Sequence, residues 1–341
     1  RCLQLARIAS GYTAPKQFWP VEGICACKIP VLICGCAICQ RVWQPLFTIL
    51  FRNCFCFSYL CAMQKSIEYI RTSLQSQFSE NELRIVTQIL ISEITGFSPA
   101  QIIVNKNTIF SDEQVKLIHS FVEKLKNNEP LQYVTGKTEF FGLKIITKPG
   151  VLIPRPETEE LIEWIMQSLD RNGNYDMLDI GTGSGCIALA LKSVFDSSNV
   201  SAMDISDEAL KIADENARAL NLKIHFLQGN ALQMPEEKSC WDVIVSNPPY
   251  IPLAEKEEMD SAVVDFEPHQ ALFVPDNDPL IFYRRIAEYA FSALKGDGLL
   301  FFEIHRDFGS QCVNMLRETG FDHVELRRDI SGNHRMIKAK R

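Results

Sequence analysis

The sequence predicts an α/β fold, a doubly wound sheet preceded by a small helical domain and a β-hairpin. Three observations predict it. Apolar residues recur at three to four positions from Gln64 to Asn128, which is the helix period. From Leu131 to Ile153 the chain is rich in Thr, Phe, Val and Ile, with Gly136, Gly142 and Gly150 as punctuation. Short apolar runs then alternate with helical stretches, the rhythm of a sheet that is parallel at least in its first part.

Taken in order, the helical part shows Ile67, Ile70 and Leu74 at helical spacing, then Leu83, Val86 and Leu90. Ser79 with Glu82, and Ser111 with Gln114, have the spacing of capping boxes, while Gly96 and Pro99 interrupt the run. The stretch 130–153 reads as a hairpin linker. Pro156 then opens a helix through Leu161, Ile162 and Ile165, since the first turn tolerates a missing N–H. Strands are expected at Met177–Ile180, Val200–Asp204, Ile224–Gln228, Val243–Ser246, Gly298–Ile304, His323–Leu326 and Met336–Ala339. Helices are expected at Cys186–Phe195, Asp207–Leu220, Pro279–Leu294 and Phe308–Thr319. The domains are therefore 63–129, helical; 130–153, linker; and 154–341, the doubly wound sheet. In such sheets ligands bind beyond the carboxyl ends of the strands.

Residues 1–62 differ from the rest. They hold six basic groups against one acid, which leaves −12 of the overall −7 on residues 63–341. An acidic body argues against non-specific attraction to a phosphate backbone. Nine of the twelve cysteines also precede Met63, and the remaining Cys186, Cys240 and Cys312 read as ordinary reduced thiols of a cytoplasmic protein. Cys25-x-Cys27 and Cys34-x-Cys36-x-x-Cys39 lack the paired spacing and the His of a usual zinc site, so no metal is expected. The apolar run Val42 to Gln64 carries Arg52 at its middle, which opposes a membrane anchor. A transit peptide would be richer in serine than Ser10 and Ser58 make it. The segment is read as a non-native or disordered extension, with Met63 as the true start.

Four motifs carry chemistry. In MLDIGTGSGCIALAL a buried strand runs through Asp179 into Gly181, Thr182, Gly183, Ser184 and Gly185 before an apolar helix. Glycines there let backbone N–H groups approach a ligand. The G-x-G-x-G spacing is not that of dinucleotide enzymes, and no Lys follows to make a phosphate-gripping loop. Asp204, ending the next strand, is placed to accept both hydroxyls of a ribose, as a nicotinamide or another adenosine cofactor would require. Asn230, after the third strand, could pair with an adenine edge or simply form a turn. After the fourth strand, Asn247-Pro248-Pro249-Tyr250 sets a side-chain carbonyl beside a backbone carbonyl on a stiff bend. Two adjacent acceptors take both hydrogens of a planar NH2 group, and Tyr250 can stack on its face.

Together these motifs resemble class I S-adenosylmethionine-dependent methyltransferases acting on planar nitrogen. LQYVTGKTEFFGL, GVLIPRPETEELIEWI, NPPYIP and DFEPHQALF narrow the resemblance to the release-factor glutamine N5-methyltransferases, the HemK/PrmC family, over essentially Met63 to Arg341. The resemblance implies a Rossmann-like seven-stranded methyltransferase sheet and a helical domain that recognises the substrate. It implies methyl transfer from S-adenosylmethionine, without a metal, to the glutamine of the GGQ motif in a class I peptide chain release factor. Gly181 to Gly185 would cradle the methionine part of the cofactor, Asp179 would support that loop, and Asp204 would hold the ribose. Asn230 and Ala231 stand near the adenine where the family usually has an acid and some members an aromatic. Asn247 and the Pro248 carbonyl would bind the substrate amide, with Pro249 and Tyr250 against it. Arg155, Glu157 and Thr158 would lie near the active site or merely start a charged helix, and His305 stands where the family often has Gly.

Three other readings compete. A nucleic-acid amino methyltransferase, modifying adenine N6 or guanine N2, shares the NPPY but would need a basic groove. A non-catalytic adenosine-cofactor module would not need Asn247, and a dinucleotide oxidoreductase would need different glycine spacing. The expected protein is a cytoplasmic monomer with no membrane contact and no direct hold on nucleic acid.

Overall fold

The computed structural model describes residues 62–341. The zinc reading, and the membrane and non-native readings up to residue 61, fall outside the described residues. The helical part comprises α1 (Met63–Leu74), α2 (Glu80–Thr95), α3 (Pro99–Val104), α4 (Asp112–Lys126) and α5 (Leu131–Thr135). Among its apolar positions Ile70, Leu74, Leu90, Val115, Ile118 and Val122 are buried, while Ile85, Ile103 and Val104 are exposed. Both expected capping boxes form, at Ser79/Glu82 and Ser111/Gln114. A third, Ser98/Gln101, turns Pro99 from a breaker into the first residue of α3.

The linker departs from expectation at its start. Leu131–Thr135 is helical and stops at Gly136, whose φ of 75° only glycine adopts freely. The hairpin is shorter, β1 (Lys137–Phe140) and β2 (Leu143–Ile146). Phe141 and Gly142 join them with φ of 51° and 74°, positive at both central positions as a type I′ turn needs. The strained Phe141 is held by Glu159, which accepts its N–H at 3.0 Å.

The seven-stranded sheet has the order β10-β11-β9-β6-β3-β4-β5. Its strands are β3 (Asp176–Ile180), β4 (Asn199–Asp204), β5 (His225–Gln228), β6 (Trp241–Ser246), β9 (Leu294–Glu303), β10 (Asp322–Arg328) and β11 (His334–Lys340). The five strands from β5 to β9 run parallel, and β11 lies antiparallel between β9 and β10. Successive residues point to opposite faces. Met177, Val243, Val245 and Phe301 join one core with α6 (Pro156–Ser168), α7 (Cys186–Val194) and α8 (Asp207–Ala219). Leu178, Ile244 and Phe302 join the other with α11 (Ile281–Ala293) and α12 (Gly309–Thr319). Every expected strand and helix of this part is present. β9 begins four residues earlier than expected, because Gly296 and Gly298 masked its start.

Between β6 and α11 the chain folds an insertion that hydrophobic periodicity does not reveal. It holds β7 (Ile251–Pro252), a 3-10 turn (Leu253–Glu258), α9 (Ser261–Phe266), α10 (His269–Leu272) and β8 (Phe273–Val274), with β7 and β8 parallel. Each piece is too short to show a period.

One buried side chain ties the hairpin to the sheet. Asn216 on α8 accepts the Ile146 N–H at 2.6 Å and donates to the carbonyls of Ile146 and Ser184, each at 3.0 Å. Removing it leaves buried backbone groups unpaired, at about 1–3 kcal/mol each. Asn216→Ala should therefore lower unfolding stability by a few kcal/mol, roughly the cost of one or two such groups, as read from denaturant curves.

Candidate active site

Beyond the carboxyl ends of β3, β4 and β6 lies a cavity of about 240 Å³. Gly181, Gly183, Asp204, Asn230, Ala231, Asn247, Pro248 and Pro249 line it, as do apolar groups including Met203, Ile205 and Ile286. Asp179, Thr182, Ser184, Gly185 and Tyr250 lie outside the lining, so the expected site residues divide into a wall and its support.

The glycine loop turns through three positive φ values, 76° at Gly181, 55° at Gly183 and 83° at Gly185. A Cβ at Gly181 or Gly183 would meet nothing within 4 Å, so both face open space, whereas one at Gly185 would press on Ala213 at 3.0 Å. Gly185 is thus needed for packing against α8, and the first two for the turn facing the cavity. The loop is secured on the neighbouring strand β4. Gly181 and Thr182 donate their N–H groups to the Met203 carbonyl at 2.8 and 3.0 Å, and Gly183 donates to Asp204 Oδ2 at 2.9 Å.

Asp179, fully buried, accepts the Thr182 hydroxyl at 2.6 Å and the Ala188 N–H at 3.3 Å on Oδ2; its Oδ1 has no partner. Burial raises its carboxyl to about 7, against the pull of those two hydrogen bonds, with the nearby Asp204 charge adding to the rise. Asp204 uses one lone pair of each oxygen, on Gly183 N–H and on Ser206 N–H at 2.9 Å, and keeps acceptor capacity at the cavity wall. Asn230 spends its side-chain oxygen on Leu232 N–H at 2.9 Å, the turn-forming role.

The Asn-Pro-Pro-Tyr bend is anchored on Glu303, which is 1% exposed. Thr158 donates its hydroxyl to Glu303 Oε2 at 2.6 Å, and Tyr250 donates to Oε1 at 3.1 Å. Asn247 Nδ2 in turn donates to Thr158 Oγ1, at a long 3.4 Å. Among the described residues neither Asn247 Oδ1 nor the Pro248 carbonyl accepts a hydrogen bond. Burial raises the Glu303 carboxyl, while Thr158, Arg335 and Tyr250 hold it down; burial likewise lifts the Tyr250 phenol.

Glu267 in the insertion closes a neighbouring loop. Its Oε1 takes Arg155 Nη2 at 2.6 Å and its Oε2 takes the Ile153 N–H at 3.0 Å. Arg155 and Thr158 are thus more than a charged helix start, since each holds a buried carboxylate. His305 is a satisfied polar group, its Nδ1 accepting the Asp307 N–H and its Nε2 facing Glu255 at 3.2 Å. Sequence reading overlooked Glu303 and Glu267 as site residues. The available signals were an acid directly after the apolar run Leu299–Phe302 and an acid wedged between Phe266 and Pro268. Among the described residues, no three His, Cys, Asp or Glu side chains gather to hold a metal ion.

A glycine-cradled cavity thus lies beyond this sheet, with Asp204 ending β4 and Asn-Pro-Pro-Tyr following β6 at its wall. Residues 142–266 match the Methyltransferase small domain, and residues 67–136 match the PrmC N-terminal domain. The release factor glutamine methyltransferase of Flavobacterium psychrophilum is 40% identical over 269 residues, 78% of this chain and 94% of that protein. That of Bacteroides thetaiotaomicron is 39% identical over 280 residues, 82% of this chain and all of its own length. A solved methyltransferase from Pyrococcus furiosus superposes with a TM-score of 0.44 at 18% identity, over 68% of this chain and 98% of that one. The chain belongs to the family of release factor glutamine methyltransferases.

The raised Asp179 carboxyl has a signed consequence. The folded protein holds this proton up to about pH 7, whereas the unfolded chain releases it near pH 4. The stability it contributes is present below about pH 4 and is lost as pH rises through about 7. Relative to Asp179→Asn, the wild type should lose a few kcal/mol between pH 5 and pH 8, about 1.4 per pK unit traversed. Guanidinium unfolding of both proteins across that range checks the slope.

Proposed function

We propose that this chain transfers a methyl group from S-adenosylmethionine to the side-chain amide nitrogen, N5, of the GGQ glutamine in a class I peptide chain release factor. The observation that carries this reading is the pair of unengaged acceptors, Asn247 Oδ1 and the Pro248 carbonyl, at the wall of the glycine-loop cavity. Two acceptors side by side suit a planar NH2 group and repel a carboxylate. The relatives' names point to a glutamine, whose side chain ends in such an NH2 group.

The chain's residues fit the cofactor. Gly181 and Gly183 leave open space over the loop, Asp204 keeps lone pairs for a ribose, and Met203, Ile205 and Ala231 offer an apolar face for a purine. Asp179 supports the loop from behind through Thr182. Asn230 can accept one further hydrogen bond beyond its turn bond. When bound, S-adenosylmethionine supplies a methyl group already activated on a sulfonium.

A glutamine amide is a poor nucleophile because its lone pair is delocalised into the carbonyl. Asn247 and Pro248 orient the nitrogen by taking both its hydrogens, with Pro249 stiffening the bend. Tyr250 acts by fixing the bend to Glu303. Orientation of this kind can lower a barrier by roughly 7–11 kcal/mol. The nitrogen–methyl bond would form as the methyl–sulfur bond breaks, S-adenosylhomocysteine would be the leaving group, and the surplus amide proton would pass to water. The helical domain at 63–129 serves to recognise the release factor, with 130–153 as the linker that joins it to the sheet, and the protein works as a cytoplasmic monomer without holding nucleic acid. No helix among the described residues is long and apolar enough to cross a membrane.

Labelled S-adenosylmethionine incubated with the protein and a release factor should place label on the glutamine of GGQ, located by peptide mass spectrometry. Label appearing instead on DNA or RNA supplied separately would overturn the assignment. Asn247→Ala should abolish transfer while S-adenosylmethionine affinity, read by calorimetry, stays nearly unchanged.

A further inference from the structure

The Asn247 side chain can face the cavity with either end of its amide, and only one end suits the proposed chemistry. With Oδ1 outward it accepts from a substrate NH2; with Nδ2 outward it would present a donor to a donor. Asn247 makes one side-chain hydrogen bond among the described residues, from Nδ2 to Thr158 Oγ1, so Thr158 selects the orientation. A threonine hydroxyl, however, carries one proton and can turn it either way. Its proton is committed elsewhere, to Glu303 Oε2 at 2.6 Å.

We propose that Glu303 is a positioning residue for methyl transfer: by taking the Thr158 proton, its buried carboxylate leaves Thr158 a pure acceptor and locks the Asn247 carbonyl toward the substrate. This deepens the methyltransferase reading above and rests on it. The carboxylate is tied to both ends of the bend, through Thr158 to Asn247 and directly to Tyr250, three residues beyond Asn247, which donates to its other oxygen at 3.1 Å. A carboxylate is the one side chain that accepts from two hydroxyls at once without bringing a proton of its own. Arg335 on β11 supports its ionised form, and Glu157 on α6 and burial oppose it. Glu303 itself is nearly sealed from solvent and is absent from the cavity lining, so its influence passes through Thr158 and Tyr250.

Glu303→Gln keeps the shape and removes this property. Its NH2 must face one of the two hydroxyls. Facing Thr158, it frees the Thr158 proton to point at Asn247 and favours the wrong amide orientation; facing Tyr250, it breaks the outer anchor. Thr158→Val removes the acceptor with little change in volume, and Thr158→Ser retains it.

The test combines turnover with a direct view of the amide. With release factor and S-adenosylmethionine, Glu303→Gln should lower kcat by roughly 10²-fold, the scale on which losing one oriented polar group slows an enzyme. The dissociation constant for S-adenosylmethionine should not change. Thr158→Val should lose kcat similarly, and Thr158→Ser should recover most of it. In the apo protein, the Asn247 side-chain amide resonances, assigned by their loss in Asn247→Ser, should shift in Glu303→Gln and Thr158→Val and return in Thr158→Ser. Unchanged resonances in Glu303→Gln and Thr158→Val would overturn the proposal, as would kcat within about two-fold of wild type in both. Wild-type protein that transfers no methyl to the release factor would instead sink the functional reading, while the amide resonances still decide whether Glu303 sets the orientation.

Discussion

Parallel register between β3, β4, β6 and β9 is the constraint on which the site depends. Ile180 pairs with Met203 and with Ser246, and Ser246 pairs with Phe302. The next residue on each chain is therefore Gly181, Asp204, Asn247 or Glu303, and all four stand at one level at the carboxyl edge of the sheet. A slip of one position would exchange the faces of a strand, placing Met203 or Ile205 where Asp204 now stands and Phe302 or Ile304 where Glu303 does. The far end of the sheet helps to hold that register. Lys295 at the start of β9 bridges Asp176 on β3 and Asp242 on β6 at 2.9 and 2.7 Å, and Asp242 also accepts the Asp176 N–H. These groups are partly exposed, so the cluster adds little stability. Its spacing suits one alignment of three strands, which is the more useful contribution.

The site is built on three buried acids with different obligations. Asp179 supports the glycine loop, Glu267 the Ile153–Arg155 loop, and Glu303 the Asn-Pro-Pro-Tyr bend. Burying a carboxylate costs several kcal/mol unless hydrogen bonds replace its water. Glu267 has an arginine and a backbone N–H, and Glu303 has two hydroxyls. Asp179 has a hydroxyl and an N–H on one oxygen and none on the other, and burial pushes it up to about 7. A hydrophobic replacement would pack these positions at lower cost. What it could not do is fix three turns that have no regular backbone pairing of their own.

Much of this was legible in the sequence because it is local. The glycine spacing, the acid ending β4, the proline bend and the 3.6-residue period each occupy a dozen residues or fewer, and local sterics dictate them. What escaped was either too short or too distant. α3, α5 and the pieces of the insertion hold too few residues to express a period, and tertiary contacts decide them. Glu303 and Thr158 are 145 positions apart, and Arg155 and Glu267 are 112 apart. No spacing rule links residues at that separation, since only the folded sheet brings them together. The Asn230 oxygen shows the opposite case, in which the ordinary turn-forming preference of Asn prevailed locally.

The short segment Val151–Arg155 explains how separate parts of the chain share one cavity. Val151 and Leu152 line the wall, and the hydrogen bonds of this segment come from both sides. Tyr133 on α5 donates its hydroxyl to the Val151 carbonyl at 2.6 Å, while Glu267 from the insertion holds Ile153 and Arg155. Pro268, directly after Glu267, lines the same cavity. The segment has no strand or helix partner to set its path, so these side chains define it. The cavity wall is thereby made dependent on the helical part at one end and on the insertion at the other. A substrate that is itself a folded protein must meet surface outside the cavity as well as within it. An enzyme of this family needs that outer surface and the methyl-transfer site to keep one geometry, and a wall strung between the two is a direct physical means of doing so.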